Sequence, residues 1–178
     1  MILAVFGSDT GDGLSFINHA TRVGFDLRVL TTTTPACKKR QTKNVTFITG
    51  EYNPEDIGRC IKSSDAVIVF ADENMNNKSI DTILDVAEDL SVSRLIVCED
   101  LQHHDDYDTL RLLSRKLSQL SVDWTLIKRA RHDIAGALHQ IDASLAEETH
   151  RHKSFASYII NQVTDSRFIG TTVMVTNE

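Results

Sequence analysis

The chain has 178 residues, of which 41% are apolar and 25% charged, with a net charge of −6. That length fits one domain with a full core, and the ordinary apolar fraction speaks against both a disordered chain and a membrane span. The negative balance argues against nucleic acid as a partner.

The apolar run Ile2-Leu3-Ala4-Val5-Phe6 reads as a buried parallel strand. Gly7-Ser8-Asp9-Thr10-Gly11-Asp12-Gly13 follows it. Leu14, Ile17, Ala20 and Val23 then form a helical stripe that Gly24 can close. A strand, a glycine loop and a helix N-terminus together make an anion site, because backbone N–H groups and the positive end of the helix dipole converge there. The alternative is an ordinary tight turn; the strand-to-helix setting favours the nucleotide site. Met1 leads directly into the strand, and the apolar run is too short for a signal peptide's core. Cys37, Cys60 and Cys98 are odd in number and far apart. Together these features make a reducing cytoplasm the expected compartment.

Asp26 to Thr31 reads as a second strand. The segment from Thr32 to Lys43 is too short and polar for a crossover helix, and Pro35 disfavours one. Asn44 to Thr49 is a third strand, ended by Gly50-Glu51. Asn53-Pro54-Glu55-Asp56 starts a helix: asparagine caps it, proline takes the first helical position, and the acids face the dipole. Ala66 to Phe70 is the clearest central strand, Ser79 to Leu90 an amphipathic helix, and Leu95 to Cys98 another buried strand. A polar loop from Glu99 to Asp106 is expected next, then a helix near Thr109–Leu120 and a strand from Trp124 to Lys128. His132 to Thr149 has helical spacing, Ser154 to Val163 is a helix, and Thr172 to Val175 is a closing strand.

Short apolar strands alternating with helices predict one three-layer α/β domain over residues 1–178, with a doubly wound, mostly parallel sheet. Such sheets bind ligands at the carboxyl ends of their strands, near the point where strand order reverses. That rim would carry Gly7–Gly13, Thr31–Thr34, Phe70–Asn74, Glu99–Tyr107 and Arg129–Asp133.

Several segments carry a family resemblance. They are the opening glycine loop, Gly24-Phe25-Asp26-Leu27-Arg28-Val29-Leu30, Gly50-Glu51, Ser64-Asp65-Ala66-Val67-Ile68, Val122-Asp123-Trp124-Thr125-Leu126-Ile127-Lys128, Phe155-Ala156-Ser157-Tyr158 and Ile169-Gly170-Thr171. Over nearly its whole length the chain resembles the atypical short-chain dehydrogenase/reductases with an NAD(P)H-binding, Rossmann-like domain, the NmrA-like and biliverdin- or flavin-reductase-like group. The resemblance implies a cofactor site made of Gly7, Ser8, Thr10, Gly11, Asp12 and Gly13 on the phosphates, with Thr31, Thr32 and Lys38 near the adenosine ribose. Glu51 would lie near the adenine, and Phe70, Ala71 and Lys128 complete the set. The sequence departs from the family pattern at four points. Thr10 replaces a glycine, Thr32 an arginine, Glu99-Asp100 a serine, and Arg129 a proline; the stretch between Arg131 and His152 is also short.

Threonine hydroxyls at Thr31–Thr34 and the cations Lys38, Lys39 and Arg40, with no acid to hold a free 2′-hydroxyl pair, favour NADP over NAD; a solvated basic loop is the alternative. Tyr107 and Arg111, four apart, echo the superfamily's Tyr-x-x-x-Lys pair and make Tyr107 the candidate proton donor, although an arginine cannot relay protons. His103, His104, His132, His139, His150 and His152 have no metal-ligand spacing, so no metal is expected. Cys37 beside Lys38-Lys39-Arg40 is either a lowered-pKa thiol or an inert surface one. Trp124 and Tyr158 are expected in the core.

Two functions follow. One is an NAD(P)H-dependent reductase handing hydride to a flavin, quinone or similar planar small molecule. The other is a catalytically silent dinucleotide-binding regulator or sensor.

Overall fold

Runs of apolar residues become strands here because the sheet is covered on both faces. A computed structural model describes residues 1–8, 11–32, 43–71, 75–101, 107–130, 146–147 and 154–176. The elements are β1 (Ile2–Phe6), α1 (Gly11–Arg22), β2 (Asp26–Thr31), β3 (Val45–Thr49), α2 (Pro54–Ile61), β4 (Ala66–Ala71) and α3 (Asn77–Asp89). They continue with β5 (Arg94–Leu101), α4 (Tyr107–Leu117), β6 (Asp123–Ala130), β7 (Ala146–Glu147), α5 (Phe155–Thr164) and β8 (Thr171–Thr176). The eight strands form one sheet in the order β3-β2-β1-β4-β5-β6-β8-β7. Every pairing in it is parallel.

Alternation along the central strands divides the core in two. Leu3 and Val5 of β1, with Ile68 and Phe70 of β4, face a layer that holds Phe16, Ile17 and Ala20 of α1 and Tyr158, Ile159 and Val163 of α5. Ala4 and Phe6, with Val67 and Val69, face Ile57 and Ile61 of α2, Ile83 and Leu84 of α3, and Leu113 and Leu117 of α4. The result is the expected three-layer, doubly wound α/β arrangement. Trp124 and Tyr158 lie in this core. No helix among the described residues is long and apolar enough to cross a membrane.

Two expectations need correction. Glu99 and Asp100 are not in a polar loop but continue β5 as far as Leu101, because each stands directly opposite a cation of β6, Glu99 against Lys128 and Asp100 against Arg129. Opposite charges at facing positions stabilise a ladder that isolated acids would end. Ala146 and Glu147, inside the stretch expected to be helical, pair with Val173 and Met174 of β8 instead. A strand edge with unpaired N–H and C=O groups favours such a pairing over continued helix. The rest of His132–Thr149 lies outside the described residues.

Candidate functional site

The strand order reverses at β1, which lies between β2 and β4. A crevice therefore opens above the carboxyl ends of β1 and β4. Two glycines beside it are closely packed. Gly7 has φ +70°, and a Cβ there would stand 2.1 Å from the carbonyl oxygen of Phe70 at the end of β4. No side chain fits that approach. At Gly13 a Cβ would stand 2.6 Å from the Cα of Ser8, so the first turn of α1 presses directly onto the loop. At Gly11 a Cβ would meet nothing within 4 Å. The first N–H groups of any helix have no partner within it, and α1 begins where Gly13 packs against Ser8.

Tyr52 is a participant that the sequence reading missed. Its hydroxyl accepts the Gly7 N–H at 3.3 Å. The turn after β3 sets it in place. Asp56 Oδ2 accepts the Glu51 N–H and the Asn53 side-chain N–H, both at 2.9 Å, while Asn53 Oδ1 accepts the Asp56 N–H to cap α2. The Glu51 and Asn53 hydrogen bonds hold the Asp56 carboxyl below its ordinary pKa. The available signal was an aromatic residue directly after the Gly50-Glu51 strand end.

Charged pairs from β5 and β6 form one wall. Lys128 Nζ lies 3.7 Å from Glu99 Oε2, with only 4% and 13% of the two side chains exposed. Arg129 spans further. Its Nη1 donates to Asp12 Oδ1 at 2.8 Å, its Nε to Asp100 Oδ1 at 3.3 Å, and its Nη2 to Asp100 Oδ2. Its guanidinium also sits 5.2 Å from the centre of the Phe155 ring. Burial opposes the Arg129 charge, but the hydrogen bonds to Asp100 and the charge of Asp12 more than offset it and raise its pKa. Three carboxylates (Asp12, Glu99, Asp100) thus share two cations (Lys128, Arg129).

Of the residues expected at a cofactor, Gly7 packs against Phe70, which precedes Ala71 at the end of β4, and Ser8 packs against Gly13, which follows Gly11 and Asp12 in the first turn of α1. Thr31 is buried at the end of β2, where its carbonyl accepts the Gly50 N–H at 3.1 Å, and Thr32 is exposed just beyond it. Glu51 is exposed. Lys128 is buried in its pairing with Glu99. Tyr107 opens α4, but its side chain and that of Arg111 lie outside the described part of the structure. Asp9, Thr10, Thr33, Thr34, Cys37, Lys38, Lys39, Arg40 and His103, His104, His132, His139, His150 and His152 also lie outside it. Cys60 and Cys98 are buried, and burial pushes the Cys60 thiol up to about 12 and raises that of Cys98, so neither is a nucleophile at neutral pH.

No protein-family model matches this sequence, and no curated protein matches it. Solved structures do match. A Rossmann-fold NAD(P)-binding family protein from Shigella flexneri superposes with a TM-score of 0.70 at 14% identity, over 97% of this chain and 91% of that one. The fold is that of NAD(P)-binding Rossmann proteins. The anaerobillin reductase ChuY from Escherichia coli O157:H7 gives 0.68 at 11% identity, over 99% and 96% of the two chains. The enzyme WbmH from Bordetella bronchiseptica, in complex with NAD+, gives 0.66 at 12% identity, over 98% of this chain and 74% of that one.

Proposed function

We propose that this chain binds NAD(P)H across the carboxyl ends of β1 and β4 and passes hydride to a flavin, quinone or similar planar acceptor. The observation that carries the reading is the pair of close approaches at Gly7 and Gly13, the first setting the end of β1 against the Phe70 carbonyl of β4 and the second setting the start of α1 against Ser8, at the sheet's reversal point. That shape suits a diphosphate: the backbone can come near it, and the helix N-terminus favours its charge. The bound dinucleotide would supply the hydride. The protein's part is to orient the two planar partners and exclude water.

Within that reading, Gly7, Ser8, Gly11 and Gly13 hold the phosphates, and Thr32 and Lys38 meet the adenosine ribose with a modest preference for NADPH. A charge-assisted contact to the 2′-phosphate would give about tenfold or more. The partner is a small molecule, and the cytoplasm is the compartment in which the buried thiols of Cys60 and Cys98 stay reduced. One observation favours the silent sensor instead: Asp100 and Arg129 close the rim with an ion pair where reductases of the resembled group carry a serine.

Titration of the purified protein with NADPH and NADH, followed by flavin reduction under each, tests both readings. Tighter NADPH binding with turnover supports the reductase. Binding without turnover on any flavin or quinone supports the sensor, and binding of neither nucleotide overturns both.

A further inference from the structure

We infer that Arg129 is a positioning residue that makes the phosphate loop usable by neutralising and pinning Asp12. This rests on the dinucleotide reading above. Asp12 sits in the first turn of α1, where its carboxylate suits the helix dipole but opposes an incoming diphosphate. Two negative groups near one helix end repel each other most strongly where protein walls exclude water. Arg129 answers this from the end of β6, with one arm of its guanidinium on Asp12 at 2.8 Å and the other on Asp100, above the face of Phe155. Four elements (α1, β5, β6 and α5) thus converge on one cation. Its fork is committed to two carboxylates, so its effect on a ligand runs through Asp12. The side chains of Arg129 and Asp12 are only 21% and 29% exposed, which limits how far solvent can screen Asp12 once Arg129 is gone.

The test uses Arg129→Gln, Asp12→Asn and the double variant. NADPH binding is read from nucleotide fluorescence, with inorganic pyrophosphate as a competitor and thermal melting as the check on folding. Arg129→Gln should bind NADPH at least about tenfold more weakly, because the unneutralised Asp12 repels the diphosphate. Asp12→Asn should bind more tightly than wild type. The double variant should return to within about threefold of wild type, a rescue that a purely structural role for Arg129 does not produce.

Wild-type affinity in Arg129→Gln overturns the inference, as does a double variant no better than Arg129→Gln. If Arg129→Gln does not fold, Arg129→Lys decides: with the charge retained it should bind within about threefold of wild type, and a tenfold loss overturns the inference. A wild-type protein that binds neither nucleotide nor pyrophosphate overturns the reading of the loop, and this inference with it. Wild-type binding combined with an indifferent Arg129→Gln overturns this inference alone.

Discussion

Gly11 and Gly13 are two residues apart in one helical turn and do different things. A side chain at Gly13 would run into the Ser8 backbone, which cannot move aside as a flexible side chain would. Gly13→Val should therefore lower the melting temperature and abolish NADPH binding together, because α1 must leave the loop to make room. A side chain at Gly11 meets open space. Gly11→Ala should leave stability unchanged or raise it by up to about 1 kcal/mol, since alanine is the better helix former. Any fall in NADPH affinity in that variant then reports how closely the ligand approaches. Melting curves and titrations on the two variants separate a packing glycine from a ligand-facing one. If Gly13→Val bound NADPH like wild type, the loop would be only a turn.

At the scale of the element, the turn between β3 and α2 shows how a cap can act at a distance. Asn53 and Asp56 cap α2 and fix the turn that carries Tyr52 to the Gly7 N–H. Asn53→Ala should cost about 1 kcal/mol in denaturant unfolding, the usual loss for such a cap. Asp56 is held below its ordinary pKa, so its contribution is complete above the unfolded carboxyl value of about 3.9 and is lost as pH falls through the lower folded value. Asp56→Asn should accordingly flatten the acid limb of the stability profile, measured by melting across that range. The helix start at Asn53-Pro54 was legible in the sequence because capping is local. The strands were legible because burial on both faces leaves continuous apolar runs such as Ala66–Phe70. The glycine loop could be recognised for the same local reason. Glu99 and Asp100 could not be read as strand, since what keeps them there is the register that sets Lys128 and Arg129 opposite, and register is a tertiary fact. Tyr52 was missed likewise: its partner, Gly7, is 45 residues away.

Across the whole molecule the two ends of the sheet carry different polar networks. At the amino end, Arg94 is buried and donates to the carbonyls of Asp123 and Gln162 and to Thr125 Oγ1, tying β5, β6 and α5 together. Arg94→Met should cost about 2–4 kcal/mol, because buried carbonyls lose their donors, yet leave NADPH affinity intact at the far end. At the carboxyl end, for the reductase proposed above, the question is what would limit turnover. A hydride acceptor gains negative charge, and unpaired acids beside it would oppose the transition state. Here Glu99 faces Lys128, and Asp100 and Asp12 share Arg129, so in that reading the neighbouring cations would mute the penalty. Tyr107 remains the candidate donor from the sequence, and its partner four residues on is an arginine, which keeps its proton. General acid help is worth about 10²–10⁴-fold, and flavins need little of it. Tyr107→Phe should therefore reduce a flavin at a rate within about tenfold of wild type, measured under saturating NADPH in single-turnover mixing. The rate should vary instead with how well the acceptor's plane stacks on the nicotinamide, so a bulky N-substituted flavin should slow both proteins equally. A hundredfold loss confined to Tyr107→Phe would make the tyrosine the acid and assign the chemistry to a side chain rather than to alignment.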